Sequence, residues 1–435
     1  MTSPIAKGSS PALRTLSSIK KLGLSFTLLG SVIFGGQCSQ AQNYVYEKTF
    51  GTSAGLHNPN AVAVDAMGGV YVADTGNNRA VKFDLNGNFV WQTAPVMDAS
   101  QLHFPLGIAI DNLSNVYVAN TGNNNIVKFD SVSGANLGIM TGPIVGTNPT
   151  LNSPFGVKTD SSANVYVTDT YNDRVLKFDS SGNLLLTIGS HGSGNGQLWS
   201  PQDVAVDNSG KIYVTDVNNT RVEVFNAKGK YVRQFGNTGP IETQTGSSDG
   251  IAIDNSGDIF VSAPTIFDLI QKYDKFGSYL GGFGSFGASN QQFSNCEGMA
   301  FDTTGRLYVA DYDNNRVQVF LPVVVNYDPS VTVTPGPFVF RRAVNEYVQK
   351  VTVKNTSGNV IKGVSSLVLQ NLSSNATLLN QDGTTVNLAP AGSPYRNSND
   401  TLDIDETITF TLKFSNPSNA PITYMPSVYV GAGYR

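Results

Sequence analysis

Cysteine, histidine and charge are all scarce in this 435-residue chain. Two cysteines exclude a disulfide scaffold and a cysteine-rich metal cluster. Three histidines, His57, His103 and His191, leave room for at most one histidine-built metal site. Charged residues make up 14% and the net charge is −4, which argues against a broad phosphate-binding surface. The apolar run from Leu22 to Gly36 is broken by Ser25, Thr27 and Ser31, and it falls short of the about 20 residues that span a bilayer. Walker-loop and His-Glu-x-x-His spacings are missing. What is present is 44 glycines and an ordinary 40% hydrophobic content. Such a chain folds, and its length predicts two or three domains.

Residues 1–41 carry Lys7, Arg14, Lys20 and Lys21 and no acid. The short apolar run follows the lysine pair, and Ser39-Gln40-Ala41 puts small residues at −3 and −1. This is the pattern of a cleavable secretory signal. Its removal takes away four basic residues, moving the net charge to near −8. Lipid attachment at Cys38 is an alternative that Gln37 disfavours. The expected address is secreted, periplasmic or cell-surface, with no transmembrane segment in the mature chain.

Internal repetition dominates the next 280 or so residues. Val70-Tyr-Val-Ala-Asp-Thr-Gly-Asn-Asn78 recurs as Val116–Asn124, Val165–Asp173, Ile212–Thr220, Ile259–Phe267 and Leu307–Asn315, at spacings of 46, 49, 47, 47 and 48 residues. Each copy follows an apolar strand ending in aspartate, such as Val62-Ala-Val-Asp65, and precedes a third alternating strand. A fourth, such as Tyr231–Gly236, follows in most. Four short strands per repeat describe a β-propeller blade. These segments resemble the NHL repeat family, and the resemblance implies a six-bladed propeller over residues 42–326. The sixth repeat lacks a fourth strand, and Tyr46–Gly51 matches Tyr231–Gly236. An N-terminal strand is therefore expected to complete the last blade.

Residues 327–435 lose the repeat and alternate at Val331–Val333, Tyr347–Lys354, Ser365–Leu369, Thr407–Phe414 and Thr423–Val430. This reads as an immunoglobulin-like or fibronectin-like β-sandwich. The fold class is all-β throughout.

Two sets of repeated polar residues invite chemistry. The aspartates ending the first strands are followed by glycine at the fourth position (Asp65/Gly68, Asp207/Gly210, Asp254/Gly257, Asp302/Gly305). That is turn chemistry rather than a calcium ring. Asp74/Arg79, Asp169/Arg174, Asp216/Arg221 and Asp311/Arg316 flank the next loop; Asn120/Asn125 replace both members in repeat 2, and Ala263/Leu269 in repeat 5. Joint loss predicts structural ion pairs.

Candidates for a binding face are Tyr171 and Tyr312, read as equivalent loop tips, Asn123 and Asn124, and Ile266 and Phe267 in the apolar tip of repeat 5. The leading expectation is a non-enzymatic binding or scaffold protein for a protein, peptide or carbohydrate ligand, without cofactor and without nucleic acid. NHL-like propellers include the peptidyl-hydroxyglycine amidating lyase. The alternative that resemblance implies is a zinc-dependent lyase or hydrolase, with His57, His103 and His191 as ligands. A structural cell-surface protein is the second alternative.

Overall fold

The computed structural model describes residues 44–94, 101–142, 151–238, 244–263 except 247, 269–322 and most of 325–430. The leader with Cys38 and the repeat 5 tip with Ile266 and Phe267 lie outside these residues. Among the described residues all regular structure is β apart from short 3-10 turns, and no helix is long and apolar enough to cross a membrane.

Six four-stranded antiparallel sheets follow one another. In repeat 1 the strands are Pro59–Val64, Val70–Asp74, Arg79–Phe83 and Phe89–Gln92. The inner strands of the other repeats are Pro105–Ile110, Pro154–Thr159, Pro201–Val206, Ile251–Ile253 and Cys296–Phe301. Each inner strand packs against the next, and the last returns to the first, so the six form a closed cycle. Apolar residues fill the spaces between neighbouring sheets. Val62, Val72, Val81 and Phe83 of repeat 1, for example, pack with Tyr308, Val317 and Val319 of repeat 6.

Closure comes from the N-terminus. Tyr44–Phe50 pairs antiparallel with Arg316–Pro322, from Tyr44 opposite Pro322 to Phe50 opposite Val317, with a bulge after Tyr46. It supplies the fourth strand of repeat 6 and covers an edge that would otherwise be free. Side chains add a second latch: Asn315 Oδ1 accepts the Asn58 amide at 2.8 Å. The same bond links Asn78 to Phe104, Asn124 to Ser153 and Asp173 to Ser200.

From Val325 the chain enters two further antiparallel sheets. One runs Val325–Asn326, Met425–Val430, Ser365–Gln370, Pro394–Ser398, Gly383–Thr384; the other runs Val331–Arg341, Glu346–Asn355, Thr407–Ser415, Thr377–Leu378. They share one core that includes Val351, Val353, Leu367, Leu369, Phe410, Leu412 and Val428. Val325 and Asn326 pair with Val430 and Tyr429, so these sheets start slightly upstream of residue 327, where the loss of the repeat suggests a boundary.

Candidate functional site

The two ends of the ring differ in kind. At one end sit the aspartate turns. Asp65 Oδ1 accepts the Met67 and Gly69 amides, and its Oδ2 accepts the Tyr71 hydroxyl at 2.8 Å. Asp111, Asp160, Asp207 and Asp302 repeat this arrangement with Tyr117, Tyr166, Tyr213 and Tyr308. The fourth turn residue takes positive φ, 85° at Gly68, which favours glycine there. These carboxylates are occupied by turns.

The opposite, loop end carries the Asp/Arg pairs. Arg Nε meets Asp Oδ2 at 2.6 Å for Arg79–Asp74, 2.7 Å for Arg174–Asp169, 2.8 Å for Arg221–Asp216 and 2.6 Å for Arg316–Asp311. Every one of these aspartates is buried. The other carboxylate oxygen accepts the amide seventeen residues earlier, such as His57 for Asp74 and Trp199 for Asp216. One side chain thus ties its own loop to the incoming connection. In repeat 2 the neutral pair keeps the geometry: Asn120 Oδ1 accepts the His103 amide, and its Nδ2 donates to Asn125 Oδ1 at 2.9 Å.

The other sequence candidates scatter around this end. Tyr171 is 55% exposed. Tyr312 is not its equivalent. Counting from the loop aspartates, Tyr171 stands two residues on, at the position of Gly76, whereas Tyr312 stands one residue on, at the position of Thr75. The threonines there reach the next repeat, Thr75 Oγ1 donating to Pro105 O. Tyr312 accordingly is half-buried, its hydroxyl pKa raised by burial and then by nearby Glu297 and Asp313. Asn123 and Asn124 are exposed, but their amides serve the framework, Asn123 donating to Gln101 O and Asn124 accepting from Ser153.

The histidines do not meet. His57 lies against Gly76 and His103 against Gly122, each in its own repeat, where a Cβ on the glycine would collide with Nδ1. His191 Nδ1 contacts Asp173 Oδ2 at 2.9 Å, and its ring lies edge-on to Trp199. Among the described residues no group of three or more His, Cys, Asp or Glu side chains is placed to hold a metal ion.

A cavity on the ring axis, lined from all six repeats, is the feature that repeat-by-repeat reading misses. Its walls include Asn60, Ile108, Phe155, Lys158, Asp203 and Asp249. Lys158 stands where the other inner strands carry Ala63, Ala109, Ala205, Ala252 and Ala300. Its Nζ crosses the axis to donate to Met299 O at 3.2 Å and lies 3.8 Å from Asp203 Oδ2. Asp203 stands where Gly107, Gly156, Gly250 and Gly298 let neighbouring strands approach. Its carboxylate accepts the Val204 and Ile251 amides. The ring of residues just after the leading proline position differs in every repeat: Asn60, Leu106, Phe155, Gln202, Asp249 and Glu297.

Burial raises the pKa of Asp203, against the pull of Lys158. Burial raises those of Asp249 and Glu297 too, and the two carboxylates oppose each other's ionisation. Two of these perturbed acids, Asp203 and Asp249, line the same concavity and mark a candidate site on physical grounds. Gly246-Ser-Ser-Asp-Gly250 beside it has the spacing of a serine nucleophile elbow. Ser248, however, is 1% exposed, donates to Thr245 O and leads into a strand rather than a helix.

The NHL repeat family matches residues 56–83, 198–225 and 293–320, the first three strands of repeats 1, 4 and 6. No curated protein matches the chain. Among solved structures, a streptogramin B lyase is 15% identical, covering 65% of this chain and 99% of that one, with a TM-score of 0.47. Virginiamycin B lyase from Staphylococcus aureus is 13% identical over 70% and 95%, with a TM-score of 0.46. A nidogen/laminin complex is 17% identical over 52% and 80%, with a TM-score of 0.41. The chain thus carries three NHL repeats, each lying within one four-stranded sheet of the ring.

Proposed function

We propose that this chain is an exported, non-enzymatic binding protein. In this reading a six-bladed NHL propeller, closed by its N-terminal strand, presents its loop end to a protein, peptide or carbohydrate ligand. An immunoglobulin-like C-terminal sandwich spaces or docks it. One observation carries the reading: the loop end varies from repeat to repeat while the turn end does not. Six different side chains ring the axis there, whereas all six turns at the other end are built on the same aspartate. Discrimination between ligands needs the former.

A second reading, acid–base catalysis on a small substrate, draws on the raised pKa values of Asp249 and Glu297. Zinc chemistry has less behind it, since the three histidines occupy separate connections.

Peptide and glycan arrays probed with the full chain test the proposal. Ligands found this way are expected to bind Tyr171→Ala or Phe155→Ala about five- to thirtyfold more weakly. Ligands indifferent to both changes contradict it. Stoichiometric zinc that disappears in the His57→Ala/His103→Ala double variant overturns it in favour of a metalloenzyme.

A further inference from the structure

We propose that the cavity between repeats 1 and 2 is a binding site for a neutral carbohydrate, held by carboxamide side chains over an apolar floor. The inference rests on the binding-protein reading above. It names one ligand class and a second place on the ring for it.

Chain length makes this cavity. The connection from the closing strand into repeat 1, residues 51–58, is four residues shorter than those into repeats 4 and 6, residues 189–200 and 284–295. In repeat 4 the carbonyls of Ser193, Gly194 and Gln197 enclose Arg221, and in repeat 6 those of Ser289 and Gln292 enclose Arg316. These arginine side chains are 4% and 10% exposed. In repeat 1 the carbonyls that reach Arg79 are those of Ala54 and Gly55, and its side chain is 18% exposed. Ala54, Gly55, Arg79 and Gln92 border a cavity of about 630 Å³ that opens where the longer connections lie, and it runs out to the turn at 134–136 of repeat 2. That is the size of a small-ligand site.

Six polar side chains on its wall have hydrogen bonds left to make. Gln92 Oε1 accepts from Arg79, Asn78 Oδ1 from the Phe104 amide and Asn136 Oδ1 from the Gly138 amide. With its oxygen committed, each carboxamide is fixed and its NH₂ is left to donate. Asn77 is fixed the other way round: its Nδ2 donates to Gly55 O and Asp74 Oδ2, which leaves the oxygen to accept. Thr93 is buried, and its Oγ1 accepts the Ala80 amide while keeping a proton to donate. The Gln101 side chain is bonded to no described residue.

Charge and floor select the ligand class. Among the described residues of the wall Arg79 alone is charged, and Asp74 neutralises it at 2.6 Å. An anionic ligand therefore meets no spare cation, and a metal ion meets no carboxylate. Sugar hydroxyls both donate and accept from one atom, which suits a wall of separated NH₂ groups and oxygens. Leu102 and Phe129, both buried, form a floor for the apolar C–H face of a sugar ring. The polar groups come from separate connections and turns around one concavity, whereas peptide backbones are taken up along a sheet edge.

An array of neutral oligosaccharides, followed by titration calorimetry on the full chain, tests this, with N-acetyl-trialanine methylamide and digalacturonate as peptide and anionic controls. At least one neutral oligosaccharide is expected to bind with a dissociation constant below about 1 mM, and about tenfold or more tighter than either control. Gln101→Ala is expected to weaken that ligand about threefold or more. Ala135→Trp, which fills the cavity from an exposed position, is expected to weaken it about tenfold or more. Absence of any bound neutral oligosaccharide, equal binding of a control, or unchanged affinity in either folded variant overturns the inference. Should Ala135→Trp fail to fold, Gln101→Ala decides alone. A ligand weakened by Tyr171→Ala or Phe155→Ala but indifferent to Gln101→Ala and Ala135→Trp overturns this site and leaves the loop-end reading standing. A chain that binds nothing on peptide or glycan arrays contradicts both.

Discussion

Asp254 and Phe260 stand six residues apart, as Asp65 and Tyr71 do, but the phenyl ring has no hydroxyl, and Asp254 Oδ2 is buried without a hydrogen-bond partner. Burial and then the Asp258 charge push the Asp254 pKa up to about 6, against the pull of Lys272. A carboxyl whose folded pKa is raised penalises the folded state once it ionises. The penalty is complete above pH 6 and fades as pH falls toward the ordinary carboxylate value. Phe260→Tyr restores the donor found in the other five repeats. It is expected to stabilise by about 1 kcal/mol at pH 7.5 and to do little at pH 4. Unfolding midpoints at both pH values check it.

Arg174→Ala is expected to destabilise more than the double change Asp169→Asn/Arg174→Asn. The single change leaves a fully buried carboxylate without its cation, at a cost of about 2–4 kcal/mol. The double change copies Asn120 and Asn125, whose amide groups already replace the charges. Chemical denaturation of the two variants settles the order.

Glu223 offers a second titration. It is buried beside Arg221 at 2.9 Å. Desolvation outweighs that attraction and lifts its pKa to about 7. Repeat 6 carries Gln318 at the matching position, where its Nε2 donates to Asp311 Oδ2. Glu223→Gln is therefore expected to gain stability relative to the parent above pH 7, where the glutamate is ionised, and to converge with it below pH 5. Thermal midpoints from pH 5 to 8.5 measure the difference.

Removing residues 42–51 is expected to open the ring between repeats 6 and 1. Tyr44 stacks on Phe283 and meets Phe260 edge-on, while Phe50 packs against Phe83. Each buried aromatic lost costs about 3–5 kcal/mol. A midpoint equal to that of the intact chain contradicts closure by this strand.

The repeats, the closing strand and the Asp/Arg pairs were legible because each is local, or recurs in register. The pairing of Tyr44–Phe50 followed from a gap in repeat 6 and a spare strand upstream. The axial cavity was not legible, because its members are exceptions to the repeat rather than instances of it. Lys158 among five alanines and Asp203 among glycines were the available signals, and both are visible on aligning the inner strands. What no spacing reveals is that Lys158 meets Met299, 141 residues away, across the ring. The offset between Tyr171 and Tyr312 was a matter of counting, and the burial of Tyr312 makes its consequence plain.

The central claim, that ligands engage the loop end of the ring, is tested most directly by hydrogen–deuterium exchange with and without a ligand selected on the arrays. The account predicts slowed exchange at 101–105, 152–156, 199–203, 248–250 and 294–298, with the turns at 111–115, 160–164, 207–211, 254–258 and 302–306 unchanged. Protection confined to those turns would contradict it.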